Sequence, residues 1–94
     1  MTSHINSSSA SISVSTLSAR TAYPQNHGQG VIRVYNAGSV PVFLRSGNSS
    51  VTATTSSQFL GAGETYSFVR NPSDTNLAAI TASGTSTVYF SMEG

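Results

Sequence analysis

The chain has 94 residues, a formal net charge of +1 and no cysteine, which leaves room for one small domain and excludes disulfides and thiolate-metal sites. Charged residues make up 7% of it, and serine and threonine supply about a third, whereas an ordinary soluble domain is about 25% charged. All four basic residues are scattered arginines, so the chain lacks the basic patch that nucleic-acid binding usually requires.

A domain this small buries a marginal core, and it usually needs a disulfide, a metal or a partner surface for stability. Since the composition removes the disulfide, we expect a protein that spends its life inside an assembly. Residues 1–9 contain neither a basic nor an apolar signal-peptide region, and no stretch reaches the roughly 18 apolar residues of a membrane span. We therefore expect neither a signal peptide nor membrane insertion.

Residues 1–30 are predicted to form an extended N-terminal arm, because they contain few large apolar side chains. Within the arm, Ala10, Ile12 and Val14 alternate with serines, a pattern of period two that predicts a short half-buried strand. Three outcomes are open for this segment: disorder, pairing with an edge of its own domain, or addition to the sheet of a neighbouring subunit.

Residues 31–94 are predicted to form a β-sandwich, because turn residues interrupt short apolar segments every eight to twelve positions or so. The predicted strands are residues 31–35, 40–45, 51–55, 58–60, 64–70, 77–81 and 87–92. We expect the first two to form a hairpin, and likewise the last two, because a short polar turn joins each pair. No window shows helical periodicity. The predicted fold is therefore all-β: a small antiparallel β-sandwich or jelly-roll-like domain with an extended N-terminal arm.

The predicted core consists of large apolar residues at alternating positions of these strands. Its members are Ile32, Val34, Val42, Leu44, Leu60, Phe68, Leu77, Ile80, Val88 and Phe90.

Candidate catalytic groups are few. His4 and His27 are the two imidazole bases, and both lie in the predicted arm, where a base is not held beside a serine nucleophile. The acids Glu64, Asp74 and Glu93 lie in predicted turns or near the end of the chain, and their spacing matches no metal site. We therefore expect no enzyme, no cofactor, no metal and no small-molecule substrate.

Sugar binding is the main alternative from another functional class, because β-sandwiches often bind glycans on exposed aromatic platforms. Tyr23, Tyr35, Tyr66 and Tyr89 are the candidate platform residues, although tryptophan is absent. Tyrosines in strands are more often core or rim residues whose hydroxyl reaches water.

Three segments of the chain resemble small virion proteins of tailed bacteriophages that are encoded among head genes. They are residues 31–44 (VIRVYNAGSVPVFL), 61–68 (GAGETYSF) and 77–90 (LAAITASGTSTVYF). The resemblance implies a capsid decoration or cement protein: a small sandwich or jelly roll on the outside of the capsid that bridges neighbouring capsomers as a dimer or trimer. Proteins of this kind have no active site to transfer.

The resemblance and the composition together give the expected partners, namely the major capsid protein and further copies of the chain. The expected location is the virion surface, and the host cytoplasm during assembly. We expect residues 9–17 to add as a strand to a neighbouring subunit or to lie along the capsid, so that deleting residues 2–20 abolishes binding and leaves the β-domain folded. The predicted partner-binding residues are Ala10, Ile12, Val14, Leu17 and Tyr23. A phage fibre or tail-associated role is the nearest alternative.

Overall fold

The structure is a computed structural model that describes residues 9–23, 31–71 and 73–93. These ranges form eight strands, and they contain no helix long and apolar enough to cross a membrane. The strands are β1 (Ser9–Val14), β2 (Ala19–Ala22), β3 (Val31–Asn36), β4 (Val42–Gly47), β5 (Gln58–Leu60), β6 (Thr65–Val69), β7 (Asn76–Ile80) and β8 (Ser86–Glu93).

The strands form two four-stranded antiparallel sheets that pack face to face. The first sheet has the order β1-β8-β3-β6, and the second has the order β2-β7-β4-β5. The first strand therefore pairs with the last, the second with the seventh, the third with the sixth and the fourth with the fifth, as in one long hairpin rolled up on itself. This is the strand order of a jelly roll, so the predicted fold class is confirmed.

Alternation along the strands places the apolar side chains between the sheets. In β3, for example, Ile32 and Val34 are buried, while Arg33 and Tyr35 are exposed on the outer face. Eight of the ten predicted core residues are buried, whereas Phe68 and Ile80 are half-buried. Phe68 lies on an edge strand, and Ile80 packs on the outer side of the second sheet.

Both predicted hairpins are wrong, although their strands exist. β3 and β4 lie in different sheets, and so do β7 and β8. The short polar segments that follow β3 and β7 thus cross from one sheet to the other. Each sheet buries one face, so the alternation of a strand identifies its buried side and gives no information about which sheet it joins.

Residues 51–55, predicted as a strand, form a loop that crosses the outer face of the second sheet. Val51 and Ala53 are buried there against Ala78, with the half-buried Ile80 beside them. The Ala53 amide donates to the Ser18 Oγ at 2.8 Å. The apolar residues of this segment therefore form a second, smaller core without strand pairing.

The predicted boundary between an arm and a sandwich does not hold for residues 9–23, which supply two strands of the jelly roll. β1 pairs with β8 from Ser9 opposite Ser91 to Val14 opposite Ser86, and β2 pairs with β7. This is pairing with an edge of the chain's own domain, and it is favoured because Ile12 and Val14 thereby enter the core. Residues 1–8 and 24–30, including both histidines, lie outside the described residues.

The buried side chain of Asn36 links the two sheets at one end of the sandwich. Its Nδ2 donates to the carbonyls of Val40 at 2.9 Å and Leu60 at 3.2 Å. Its Oδ1 accepts from the Gly38 amide at 3.1 Å and the Ser86 hydroxyl at 2.5 Å. Both amide hydrogens and the carbonyl oxygen of Asn36 are therefore satisfied, by groups of four residues from three segments of the chain.

Candidate interaction surface

The large apolar side chains that remain exposed are concentrated on one surface. Among the described residues seven are exposed, and four of them, Val31, Tyr35, Val69 and Tyr89, lie on the outer face of the first sheet. We call this surface the Tyr35/Tyr89 face. Its described side chains are Ser11, Ser13, Val31, Arg33, Tyr35, Thr65, Ser67, Val69, Thr87, Tyr89 and Ser91.

The centre of the face is the pair formed by Tyr35 on β3 and Tyr89 on β8, which are opposite each other in register. Their side chains are 42% and 53% exposed, so each ring offers about half of its surface to a partner. Arg33 and Ser91 form the next pair, and the four residues line a shallow depression of about 240 Å³. The face is therefore aromatic at its centre, and hydroxyl side chains surround that centre.

This arrangement suits contact with a surface of low charge. A tyrosine side chain buries a large area and loses little conformational entropy, because it has few rotatable bonds. Its hydroxyl can form a hydrogen bond at the edge of the interface. Arg33 is the only charged residue among the described side chains of the face, so little charge has to be desolvated on binding. Tyr35 and Tyr89 lie on paired strands over a packed core, so their backbone positions are already fixed in the unbound protein.

The predicted partner-binding residues lie mostly elsewhere. Ile12, Val14 and Tyr23 are buried in the protein's own core, so their assignment to a partner surface is wrong. Ala10 is half-buried against the same core. Leu17 is 78% exposed in the link between β1 and β2, away from the Tyr35/Tyr89 face. Its contact with a partner stays a prediction.

Tyr23 belongs to a polar cluster at the end of the sandwich remote from Asn36. Its hydroxyl lies 2.5 Å from the Ser46 Oγ, which donates in turn to the Asp74 Oδ2 at 2.8 Å. The Arg70 guanidinium lies 5.5 Å from the centre of the Tyr23 ring and also donates to the Asp74 carbonyl. The Tyr23 ring also meets the Phe90 ring edge-on, with the ring centroids 5.8 Å apart. The cluster links Arg70 and Asp74 to the core.

We expect this cluster to make the protein sensitive to alkali. Burial raises the pKa of the Tyr23 hydroxyl above its usual value, and the Asp74 carboxylate adds to this against the opposing effects of Ser46 and Arg70. Because the folded-state pKa exceeds the unfolded value of about 10, the stabilisation is complete below that pH and is lost as the pH rises through the folded-state pKa.

Thermal midpoints measured from about pH 8 to pH 11 should therefore fall more steeply for the native chain than for Tyr23→Phe, which has no phenol to ionise at this position. Equal slopes for the two proteins would show that ionisation of Tyr23 does not cause the loss of stability at high pH.

Two of the acids, Glu64 and Asp74, form hydrogen bonds within the protein. Glu64 accepts a hydrogen bond from the Gly61 amide at 2.7 Å within its own turn, and Asp74 accepts from Ser46. Within residues 9–23, 31–71 and 73–93, no three histidine, cysteine or acidic residues come together as a metal site would require.

The sequence predicts Tyr35 and Tyr89 only as members of a candidate sugar platform, not as the centre of a protein-binding face. The signal that identifies them is the alternation in β3 and β8, where Arg33, Tyr35 and Tyr89 fall on the side opposite the buried residues. Their juxtaposition depends on the pairing of β3 with β8, strands that are about 50 residues apart in the chain, and short-range patterns do not reveal such pairing.

No protein-family model matches this sequence, and no curated protein matches it significantly. The function is therefore inferred from the surface chemistry of the fold.

Proposed function

We propose that this chain is a structural virion protein of a tailed bacteriophage, which binds the outside of the capsid and reinforces contacts between capsomers. Its partner is the major capsid protein, and it acts by binding rather than by catalysing a reaction. The observation that supports this most directly is the Tyr35/Tyr89 face, a sheet surface with exposed aromatic residues at its centre and almost no charge.

The composition of the centre of the face resembles that of a protein-protein interface. The buried centres of such interfaces are enriched in tyrosine and arginine and depleted of lysine and acids, and the described centre here consists of Tyr35, Tyr89 and Arg33. The low charge of the whole chain fits a protein that functions in large copy number on a lattice, because neighbouring copies repel each other only weakly.

The fold is compatible with the proposal but does not decide it. Jelly rolls occur in viral capsid proteins and also in lectins and cupins, and one fold supports many unrelated functions. The likeness of residues 31–44, 61–68 and 77–90 to phage head-associated proteins favours the capsid among these. A fibre or tail-associated role would use the same face on a different partner.

Glycan binding is the second candidate, and the depression of about 240 Å³ between Arg33, Tyr35, Tyr89 and Ser91 is the observation that favours it. The adjacent tyrosines offer a surface on which a sugar ring could stack. A lectin would bind soluble sugars in this depression, whereas a decoration protein would not. The two functions are therefore separated by one competition experiment with soluble sugars.

We expect Tyr89→Ser to weaken binding to capsids by at least about tenfold, because truncating a central tyrosine of an interface commonly costs about 2 kcal/mol. The measurement is co-sedimentation with capsids from which small surface proteins have been stripped, scored as copies bound per particle. Tyr89 is 53% exposed, so the variant should keep the thermal midpoint of the native chain.

Phe59→Ser is the matched control, since Phe59 is also 53% exposed and lies on the outer side of the second sheet; it should bind as the native chain does. Equal weakening by both variants would contradict the assignment of the face. Binding that soluble sugars abolish would favour the glycan function, and binding to isolated tails or fibres alone would favour the tail role.

A further inference from the structure

The open edges of the two sheets differ in how well they are protected against pairing with another chain. Natural edge strands are usually short, charged or interrupted by proline. In the second sheet, β5 has three residues and β2 has four, including Arg20. In the first sheet, β6 (Thr65–Val69) has five residues, with no charge and no proline. By these criteria β6 is an unprotected edge.

The other edge of the first sheet, β1, is better covered. The Thr21 hydroxyl of β2 donates to the main-chain carbonyl of Ser11 at 3.5 Å, so one outward-facing group of β1 has a partner. The inward side chains of β1, Ile12 and Val14, are already buried. A strand added at β1 would therefore cover little additional apolar surface.

At β6 the inward side chains are only partly covered. Tyr66 is 38% exposed and Phe68 is half-buried, and their rings stack with centroids 5.9 Å apart. Beside them a cleft of about 190 Å³ opens between the sheets, with Leu44 and Leu77 among its lining residues. A strand added at β6 would bury these aromatic rings and cover the mouth of the cleft.

The main chain of β6 also has a definite outward-facing set of groups. The Asn36 amide donates to the Glu64 carbonyl at 3.0 Å, and in an antiparallel pair such bonds recur at every second residue. The main-chain amides and carbonyls of Tyr66 and Phe68 therefore point toward β3. Those of Thr65, Ser67 and Val69 point outward, and no strand of the described chain pairs with them.

We propose that β6 pairs antiparallel with β6 of a second copy of the chain, across a two-fold axis at Ser67. In this register Ser67 faces its own copy, and Thr65 faces Val69 of the second copy. All three outward-facing residues on each strand then exchange main-chain hydrogen bonds, roughly six in total. A two-fold contact of this kind closes as a dimer and does not propagate.

The side chains agree with the same register. Tyr66 meets Phe68 of the second copy at the positions that do not exchange hydrogen bonds, where side chains of an antiparallel pair are closest. The four aromatic rings then lie together over the two clefts. On the outer face Thr65 meets Val69, a β-branched pair. No charged residue of β6 faces its own copy, so the strand is compatible with itself.

The dimer would join the first sheets of two copies into one continuous sheet, with two Tyr35/Tyr89 faces side by side. The inference depends only on the β6 edge and is independent of the proposed function, since loss of the dimer and loss of capsid binding are measured separately.

Ser67→Cys tests the register directly. The native chain has no cysteine, so this variant has a single thiol. A hydrogen-bonded antiparallel pair holds its Cα atoms about 5.5 Å apart, within the range of about 4.4–6.8 Å that a disulfide spans. Mild oxidation should convert most of the protein to a covalent dimer on a non-reducing gel. Ser11→Cys, on the same face at the other edge, should form the same non-covalent dimer without a disulfide and should therefore run as a monomer on the non-reducing gel.

Ser67→Lys tests the association itself, because it places two like charges opposite each other at the two-fold axis. Light scattering should give about twice 9.7 kDa for the native chain and for Ser11→Lys. Ser67→Lys should dissociate at least about tenfold more readily, with an unchanged circular dichroism spectrum. The proposal is overturned by a monomeric native chain, by a trimer or open polymer, or by equal cross-linking of Ser11→Cys.

Discussion

Replacement of Asn36 by alanine should lower the free energy of unfolding by about 3 kcal/mol, because it leaves two buried and two half-buried groups without partners. Each of the buried groups costs about 1–3 kcal/mol when its partner is lost. The groups concerned are the carbonyls of Val40 and Leu60, the amide of Gly38 and the hydroxyl of Ser86. A domain of this size has a total stability of about 5–15 kcal/mol. The substitution should therefore remove a large fraction of the total stability.

Asn48→Ala is the matched control for this prediction. The Asn48 Oδ1 accepts the Ser50 amide at 2.8 Å in the same two-residue spacing by which Asn36 accepts Gly38, but Asn48 is exposed. Water can replace the lost bond there, so the cost should stay below about 1 kcal/mol. Urea unfolding of the two variants measures the difference. Similar urea midpoints for both variants would show that the buried hydrogen bonds of Asn36 contribute no more to stability than the exposed bond of Asn48.

Replacement of Ile12 by alanine should destabilise the fold by about 2–4 kcal/mol, because Ile12 is 2% exposed in the main core and the substitution leaves a cavity. The same reasoning changes the expected result of deleting residues 2–20. That deletion removes β1 and part of β2, so the remaining chain should fail to fold as the native domain does, contrary to the expectation from the sequence.

Leu17→Ala provides the control for Ile12, because it removes an apolar side chain from the same segment at an exposed site. Its cost should be within about 0.5 kcal/mol. A chain without residues 2–20 that keeps the native thermal midpoint would contradict the structure of the first sheet and would restore the interpretation of this segment as a free arm.

The positions of most strands could be predicted from the sequence, since apolar and polar residues alternate clearly in Val31–Asn36 and Thr65–Val69. Their partners could not. The segment 37–41 has the composition of a hairpin turn, yet it connects the two sheets, and the buried Asn36 beneath it fixes that path by bonding to Val40 and Leu60. Such a contact between distant residues has no local signature.

The N-terminal strands β1 and β2 are hard to predict for a related reason. Serine-rich composition suggested a segment unable to hold itself in place, but Ile12 and Val14 are enough once β8 offers a full-length partner. The predicted binding residues were consequently apolar residues that the core requires. Tyr35 and Tyr89 were recognisable as exposed by alternation, and only the pairing of β3 with β8 places them side by side.

The measurement that tests the proposed binding face most directly is hydroxyl-radical footprinting of the chain, free and bound to capsids, read by mass spectrometry. Tyr89 on the face and Phe59 on the outer side of the second sheet are both 53% exposed when free, so they should oxidise as side chains of equal accessibility. On the capsid, Tyr35 and Tyr89 should become protected while Phe59 stays reactive. Protection of Phe59 with undiminished oxidation of the two tyrosines would contradict the proposed face.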